Sequence, residues 1–158
     1  MRRIILGFIC FLNIFCSIAQ EFSRKDSLRG HLTPLRTCYD VTFYDLFVMV
    51  DEKERSLERS YNIIHFSVVS NFNRIQIDLA LNMEVMRIEF EGQELEFSRE
   101  FDAVFVHFPR VLEKGNQGNI KVWYGGYPRK AINAPWDGGF SWERTRMEIL
   151  GLESHAKA

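Results

Sequence analysis

Val85-Met86-Arg87-Ile88-Glu89-Phe90-Glu91-Gly92-Gln93-Glu94-Leu95-Glu96-Phe97-Ser98-Arg99 decides the fold class of this chain. Two runs of alternating apolar and polar residues flank Gly92-Gln93, and the glycine supplies the backbone freedom a tight hairpin turn needs. Along the first arm, residues 85–91, Met86, Ile88 and Phe90 share a face. Along the second, residues 94–99, Leu95 and Phe97 do. A period of two belongs to a pleated strand, whereas a helix repeats every 3.6 residues.

The same alternation runs outward in both directions. Downstream, Ala103, Phe105 and His107 alternate with Val104, Val106 and Phe108, so both faces are largely apolar and the spacing predicts a central strand ended by Pro109. Residues 113–119 read as a polar loop. Ile120, Val122 and Tyr124 then alternate with Lys121 and Trp123 until Gly125-Gly126 breaks the run. Upstream, Tyr39, Val41 and Phe43 are followed by Leu46, Val48 and Val50 in shifted phase, which predicts a bulge near Tyr44-Asp45. Residues 51–56 form a charged turn. Asn62, Ile64, Phe66 and Val68 mark a strand, Asn71-Phe72-Asn73 a turn, and Ile75, Ile77 and Leu79 a further strand.

No stretch of helical length carries an apolar stripe. Residues 57–69 come nearest, yet they are β-branched and aromatic rather than rich in Ala and Leu. Strand signals recurring about every 8–14 residues with turns between them predict an all-β fold, an antiparallel β-sandwich or saddle-shaped curved sheet. That fold is expected to be incomplete at its C-terminus.

The first residues read differently. Arg2 and Arg3 precede an apolar run at 4–14, and Ser17-Ile18-Ala19 supplies small residues before Gln20. This is the three-part pattern of a secretory signal peptide at 1–19, too short to span a bilayer of about 20 residues. Export to the periplasm or beyond follows, with a lipid anchor on Cys16 as the alternative. No membrane contact is expected after cleavage. Cleavage removes Cys10 and Cys16 and leaves Cys38, so no disulfide forms within the mature chain. Removing Arg2 and Arg3 takes the basic count from 20 to 18 against 21 acidic residues, a net charge near −3. No basic cluster points to nucleic acid.

Chemistry-bearing motifs are sparse. His31, His65, His107 and His155 are too far apart for two to share a helix face in the HExxH manner. There is no GxSxG and no cysteine beside a histidine partner. Gly125-Gly126 and Gly138-Gly139 lack the strand–glycine loop–helix setting that cradles phosphate. Glu94 and Glu96 fit a solvated hairpin face better than acid–base work. Trp123, Tyr124 and Tyr127 could stack on sugar or peptide, though sheet packing accounts for them. From the residues themselves, no catalytic, cofactor-binding or metal-binding residue is assigned.

Several segments nevertheless follow a familiar order. Asp26-Ser27-Leu28-Arg29-Gly30, Leu32-Thr33-Pro34 and Arg36-Thr37 lead into Tyr39-Asp40-Val41 and Tyr44-Asp45-Leu46, with Val50-Asp51 after them. Ile75-Gln76-Ile77-Asp78-Leu79, the Gly92 turn, Tyr127-Pro128-Arg129 and Ala134-Pro135-Trp136-Asp137-Gly138-Gly139-Phe140 complete the series. This series resembles the N-terminal β-domain of the aminopeptidase N family of gluzincin zinc metallopeptidases, in a bacterial secreted branch. The resemblance spans residues 24–143. It implies a signal peptide at 1–19, a lead-in segment at 20–36, the β-domain at 37–143 and an atypical tail at 144–158.

In that family the β-domain packs on a thermolysin-like catalytic domain that carries the zinc HExxH-x18-E and GxMEN motifs. A Gln in a later CQG-like segment binds the substrate's amino group. None of these elements is in this sequence, so the resemblance carries over no catalytic residue and no zinc ligand. It implies a non-catalytic domain whose parent removes N-terminal residues from peptides, truncated before its catalytic partner.

The tail departs from the family. Back-translated with one choice of codons, residues 147–157 read two bases later, with GC from Ala158, as Gly-Asn-Pro-Trp-Ile-Gly-Val-Ser-Cys-Gln-Gly. The first base of each recovered codon is a chosen wobble base, and the second is dictated by the observed residue except at Leu150, Leu152 and Ser154, whose codons begin with either of two bases. A one-base deletion near Arg144-Thr145 is the expectation drawn from this. The alternative to the truncated peptidase is a free-standing secreted β-sandwich that binds peptide, glycan or protein.

Overall fold

The computed structural model describes residues 23–134 and 136–143. The signal segment with Cys10 and Cys16, Pro135, and the tail at 144–158 with His155 lie outside the described residues. The strands are β1 (Tyr39–Phe47), β2 (Val50–Asp51), β3 (Ser56–Val68), β4 (Phe72–Asp78), β5 (Met83–Phe90), β6 (Gln93–Glu94), β7 (Phe97–Glu100), β8 (Ala103–Leu112) and β9 (Gln117–Gly126). A six-stranded sheet runs β1-β3-β9-β5-β6, with β2 also on β3, and faces a three-stranded sheet of order β4-β8-β7. Their ladders are antiparallel. The all-β sandwich expected from the alternation is the one found.

One core fills the space between the sheets. Ile64, Phe66, Ile88, Ile120 and Val122 enter it from the larger sheet; Ile75, Ile77, Val104, Val106 and Phe108 enter from the smaller. Four phenylalanines meet near its centre. Phe108 sets its ring edge-on to Phe66, Phe72 and Phe90 at centroid distances of 6.4, 5.4 and 5.1 Å, the arrangement that aromatic quadrupoles favour.

The hairpin at residues 85–99 forms, with a difference. Its turn is Glu91-Gly92, both in the left-handed region (φ 51° and 78°), one residue earlier than the Gly92-Gln93 reading. Gln93 pairs with Phe90. The second arm does not remain on its partner. Pairing stops at Glu94, the Leu95 N–H donates to the Ile88 carbonyl at 2.8 Å, and the Glu96 carbonyl accepts from His107 N–H at 2.9 Å. β7 then pairs with β8 in the other sheet. Leu95 turns inward at this corner and is buried at 5% exposure.

Other boundaries shift for identifiable reasons. The bulge in β1 lies between Val41 and Phe43, not at Tyr44-Asp45. Phe72, read as a turn residue, opens β4 because its ring is needed in the core. Pro109 does not end β8. It falls where the ladder lapses between Arg74↔His107 and Phe72↔Leu112, so its missing N–H costs no ladder bond. Gln117, Gly118 and Asn119, assigned to a loop, pair with β3 at the start of β9.

Two short helices precede the strands, α1 (Arg24–Gly30) and α2 (Pro34–Thr37). They are too short for a periodic apolar stripe, but α1 has a capping box. The Ser23 hydroxyl accepts from Asp26 N–H and the Asp26 carboxylate accepts from Ser23 N–H at 3.0 Å. Leu28 and Leu35 pack on Ala103 and Phe105. The helices thus cover the back of the small sheet, which explains why both faces of β8 are apolar. Gln76, 1% exposed, donates to the Leu28 carbonyl at 2.9 Å and to Asp78 at 3.1 Å. Arg36 donates to the same carbonyl at 2.8 Å and pairs with Asp78. Among the described residues no helix is long and apolar enough to cross a membrane.

Arg99 closes the corner between the sheets. Its guanidinium donates to the carbonyls of Phe101 (2.9 Å), Met83 (2.5 Å), Leu79 (2.7 Å) and Ala80 (2.8 Å), tying β7 to the β4–β5 connection. Replacing Arg99 with Leu leaves the part-buried Met83 and Leu79 carbonyls without this donor, while Ala80 keeps its bond from Met83 N–H, and is expected to cost about 2–3 kcal/mol, read as a lower urea midpoint at unchanged slope. Arg99→Lys recovers only part, because one ammonium cannot reach all four.

Tyr39 generates a second expectation. Its hydroxyl donates to the Gln76 carbonyl at 2.7 Å, and burial, helped by nearby negative groups, pushes its pKa from 10.0 up to about 12. Folding thus favours the neutral phenol. That contribution is whole below pH 10 and disappears as pH rises through 12. Thermal midpoints measured across this window should fall, and Tyr39→Phe should flatten that part of the decline.

Candidate functional site

The unequal width of the two sheets creates the most distinctive surface. Register puts Leu46, Asn62, Val122 and Ile88 in one row across four strands of the larger sheet. Val122 and Ile88 are buried under the smaller sheet, whereas Leu46, on the same face, is 60% exposed. The bulge at Thr42 turns Leu46 inward, as the phase shift predicted, but it puts Tyr44 rather than Phe43 on that face. No second layer among the described residues covers Tyr44 and Leu46, and both stay exposed.

A groove of about 910 Å³ results, lined by Leu46, Val48, Leu57, Leu81, Tyr124 and Phe140 among others. Lys25 and Arg29 of α1 also border it. The Asn62 side chain lines the groove with its Oδ1 buried and without a hydrogen-bond partner. Burial raises the pKa of the Tyr124 phenol, so that wall of the groove carries a neutral hydroxyl.

The signature-like segment forms one wall. Arg129 donates through Nε and Nη2 to the Gly138 carbonyl at 3.1 and 2.6 Å. Phe140 N–H donates to Arg129, and Ala131 N–H to Phe140, at 2.8 and 3.0 Å. Gly139 is required there: its φ is 142°, and a Cβ would sit 2.6 Å from the Arg129 carbonyl oxygen. The Asp137 carboxylate accepts from Ile132 N–H and Asn133 N–H at 2.6 and 2.9 Å, and the Ile132 bond leads in holding its pKa below the usual carboxylate value. Phe140 and Trp142 stack at 5.6 Å. Trp136 points out, 89% exposed.

The outer face of the larger sheet carries a row of rings the sequence reading missed as a unit. Phe47, Tyr61, Trp123 and Arg87 are consecutive register partners across β1, β3, β9 and β5. Phe47 stacks on Tyr61 at 5.1 Å and Tyr61 meets Trp123 at 4.9 Å. Lys121 lies over Tyr61 and Trp123 at 3.8 and 4.2 Å, and Arg87 over Trp123 at 5.2 Å. Each residue is visible as one outward position of an alternating run. Only strand order aligns them, and local spacing does not contain strand order.

The histidines do not converge. His65 is on β3, against the Phe43 ring at 5.7 Å, while His107 is on β8 in the other sheet, and exposed His31 follows α1. Among the described residues no three His, Cys, Asp or Glu side chains come together in a way that could hold a metal ion. Cys38 is buried and unpaired, and burial pushes its thiol pKa up. Glu94 and Glu96 are both solvent-exposed.

No family model and no curated relative matches the chain by sequence. Solved structures do match. The M1 zinc metallopeptidase from Deinococcus radiodurans is 25% identical, with a TM-score of 0.53 over 63% of this chain and 23% of that one. A mutant of the same enzyme, bound to a Tyr-Ser-Ala substrate, gives the same identity and TM-score over 63% and 22%. A two-domain M1 zinc metallopeptidase mutant bound to L-arginine aligns at 22% identity and a TM-score of 0.54 over 68% and 25%, which speaks to the fold alone. The chain spans about a quarter of the length of these structures. In fold and in the share of the enzyme it covers, the chain corresponds to an N-terminal domain of the M1 zinc metallopeptidases, the aminopeptidase N family.

Proposed function

We propose that this chain is the non-catalytic N-terminal β-domain of a secreted zinc aminopeptidase-like protein, exported by the signal at residues 1–19. The parent removes N-terminal residues from peptides; the chain itself neither holds zinc nor cuts. The observation that carries this reading is the match to about a quarter of the metallopeptidase chains. Catalytic zinc needs three protein ligands and an open position, and the separation of His65 and His107 into different sheets fits a domain that contributes shape instead. The uncovered inner face of the large sheet agrees with a body built to lean on a neighbour.

One observation favours the free-standing binding module: the Phe47-Tyr61-Trp123 row on an accessible sheet face. Its rings are partly occupied by Lys121 and Arg87, which leaves less aromatic face to a sugar than a bare platform would.

Purified chain, supplied with zinc and assayed on alanyl and leucyl anilides, is expected to show no hydrolysis above background and no zinc retained through gel filtration. Turnover that follows zinc content would overturn the non-catalytic reading. The coding DNA beyond the last codon is expected to encode an HExxH segment in one of its frames, and a downstream region without one would remove the peptidase parentage.

A further inference from the structure

We propose that the groove between the sheets is a docking site for the chain's own residues Met147-Glu148-Ile149-Leu150-Gly151-Leu152-Glu153. This stands apart from the aminopeptidase reading, and it depends on the side chains present, whatever reading frame produced them.

Two features of the groove select such an occupant. Its lining includes exposed apolar side chains, with Leu46 and Leu81 more than half exposed, and Ile149, Leu150 and Leu152 bring three large apolar side chains within four residues. Its border is basic. Among the described residues Lys25 and Arg29 hold no ion pair, whereas Arg129 is engaged with Gly138 and the Asp102 carboxylate accepts from Leu81 N–H at 2.8 Å. Glu148 and Glu153 bracket the apolar residues and equal these two cations in number while opposing them in charge.

The tether adds to the chemistry. Phe140 lines the groove, and Glu143 is the last described residue before the tail. The four-residue step from Glu143 to Met147 spans up to about 14 Å. A segment held that close acts at an effective concentration of about the millimolar range, so even weak apolar and ionic contacts suffice for occupancy.

Amide hydrogen exchange of the full mature chain tests this. Residues 149–152 are expected to exchange about ten-fold or more slowly than an isolated peptide of the same sequence, at a rate independent of protein concentration. Leu150→Asp with Leu152→Asp should abolish the protection, and so should Leu46→Asp with Leu81→Asp. Slow exchange at Ile88 and Ile120 confirms in each case that the core is intact. Lys25→Glu with Arg29→Glu should weaken protection, and adding Glu148→Lys with Glu153→Lys should restore it. Peptide-like exchange in the unmutated chain overturns the proposal. So does protection that grows with concentration alongside a dimer in light scattering, which would place a second copy's tail in the groove. Protection that survives the groove substitutions would put the segment elsewhere and overturn it equally.

Discussion

The corner at Leu95-Glu96 is the constraint on which the sandwich depends. Leu95 makes the last rung on β5, its N–H donating to the Ile88 carbonyl opposite it, and its side chain enters the core beside Ile88. The next residue is already paired with the opposite sheet. Without this switch β7 would extend the larger sheet, and β8 would lose one of its two partners. Strands that change sheets at a bend are how two layers made from one chain come to share a core. Arg99, four residues on, satisfies carbonyls that the sharp β4–β5 connection leaves without strand partners. The corner and its clamp therefore act as one unit.

A second consequence is geometric. Six strands cannot be covered by three, so the layer that buries Ile88 and Val122 ends before it reaches Leu46. The protein manages the back of the small sheet with α1 and α2, anchored through Gln76, Arg36 and the Leu28 carbonyl. No equivalent cover lies over the β1 side of the large sheet among the described residues. That asymmetry separates a structural surface from an interaction surface. Where helices fold back, the apolar residues serve stability; where they do not, the same residue types remain available to something else.

How much of this was legible follows from what alternation encodes. Period two identifies strands and, between bulges, the face each residue shares, so the hairpin, the central character of β8 and the phase shift in β1 could be read from the sequence, whereas Met86, expected beside Ile88 and Phe90, lies exposed at a register shift between Val85 and Arg87. Alternation says nothing about partners. The crossing of β7 into the second sheet, the row from Phe47 to Arg87 and the groove all arise from strand order, set by contacts between distant segments. The bulge at Thr42 was misplaced by a few residues because phase reveals that an extra residue exists more sharply than where it sits. Pro109 was misread because its cost depends on whether its N–H faces a partner, and at a lapse in the ladder it does not. The short helices were missed because four to seven residues hold too few turns for a stripe, although Ser23 and Asp26 were a readable cap.

The scarcity of catalytic motifs and the abundance of uncovered apolar surface point the same way. Catalysis needs titratable groups brought together and partly removed from water, and here the shifts with clear structural causes belong to packing or to loop closure. Tyr39 is raised because it is buried beside Gln76, and Asp137 is lowered because it holds the turn at Ile132 and Asn133. Neither faces a second reactive group across a cleft. What the fold does hold fixed is a surface: a glycine-dependent loop with Trp136 outward, a groove bordered by two cations that hold no ion pair among the described residues, and an overhanging sheet. Under the reading proposed above, a domain that presents such a surface acts by what it touches, and that role is written in its turns and faces.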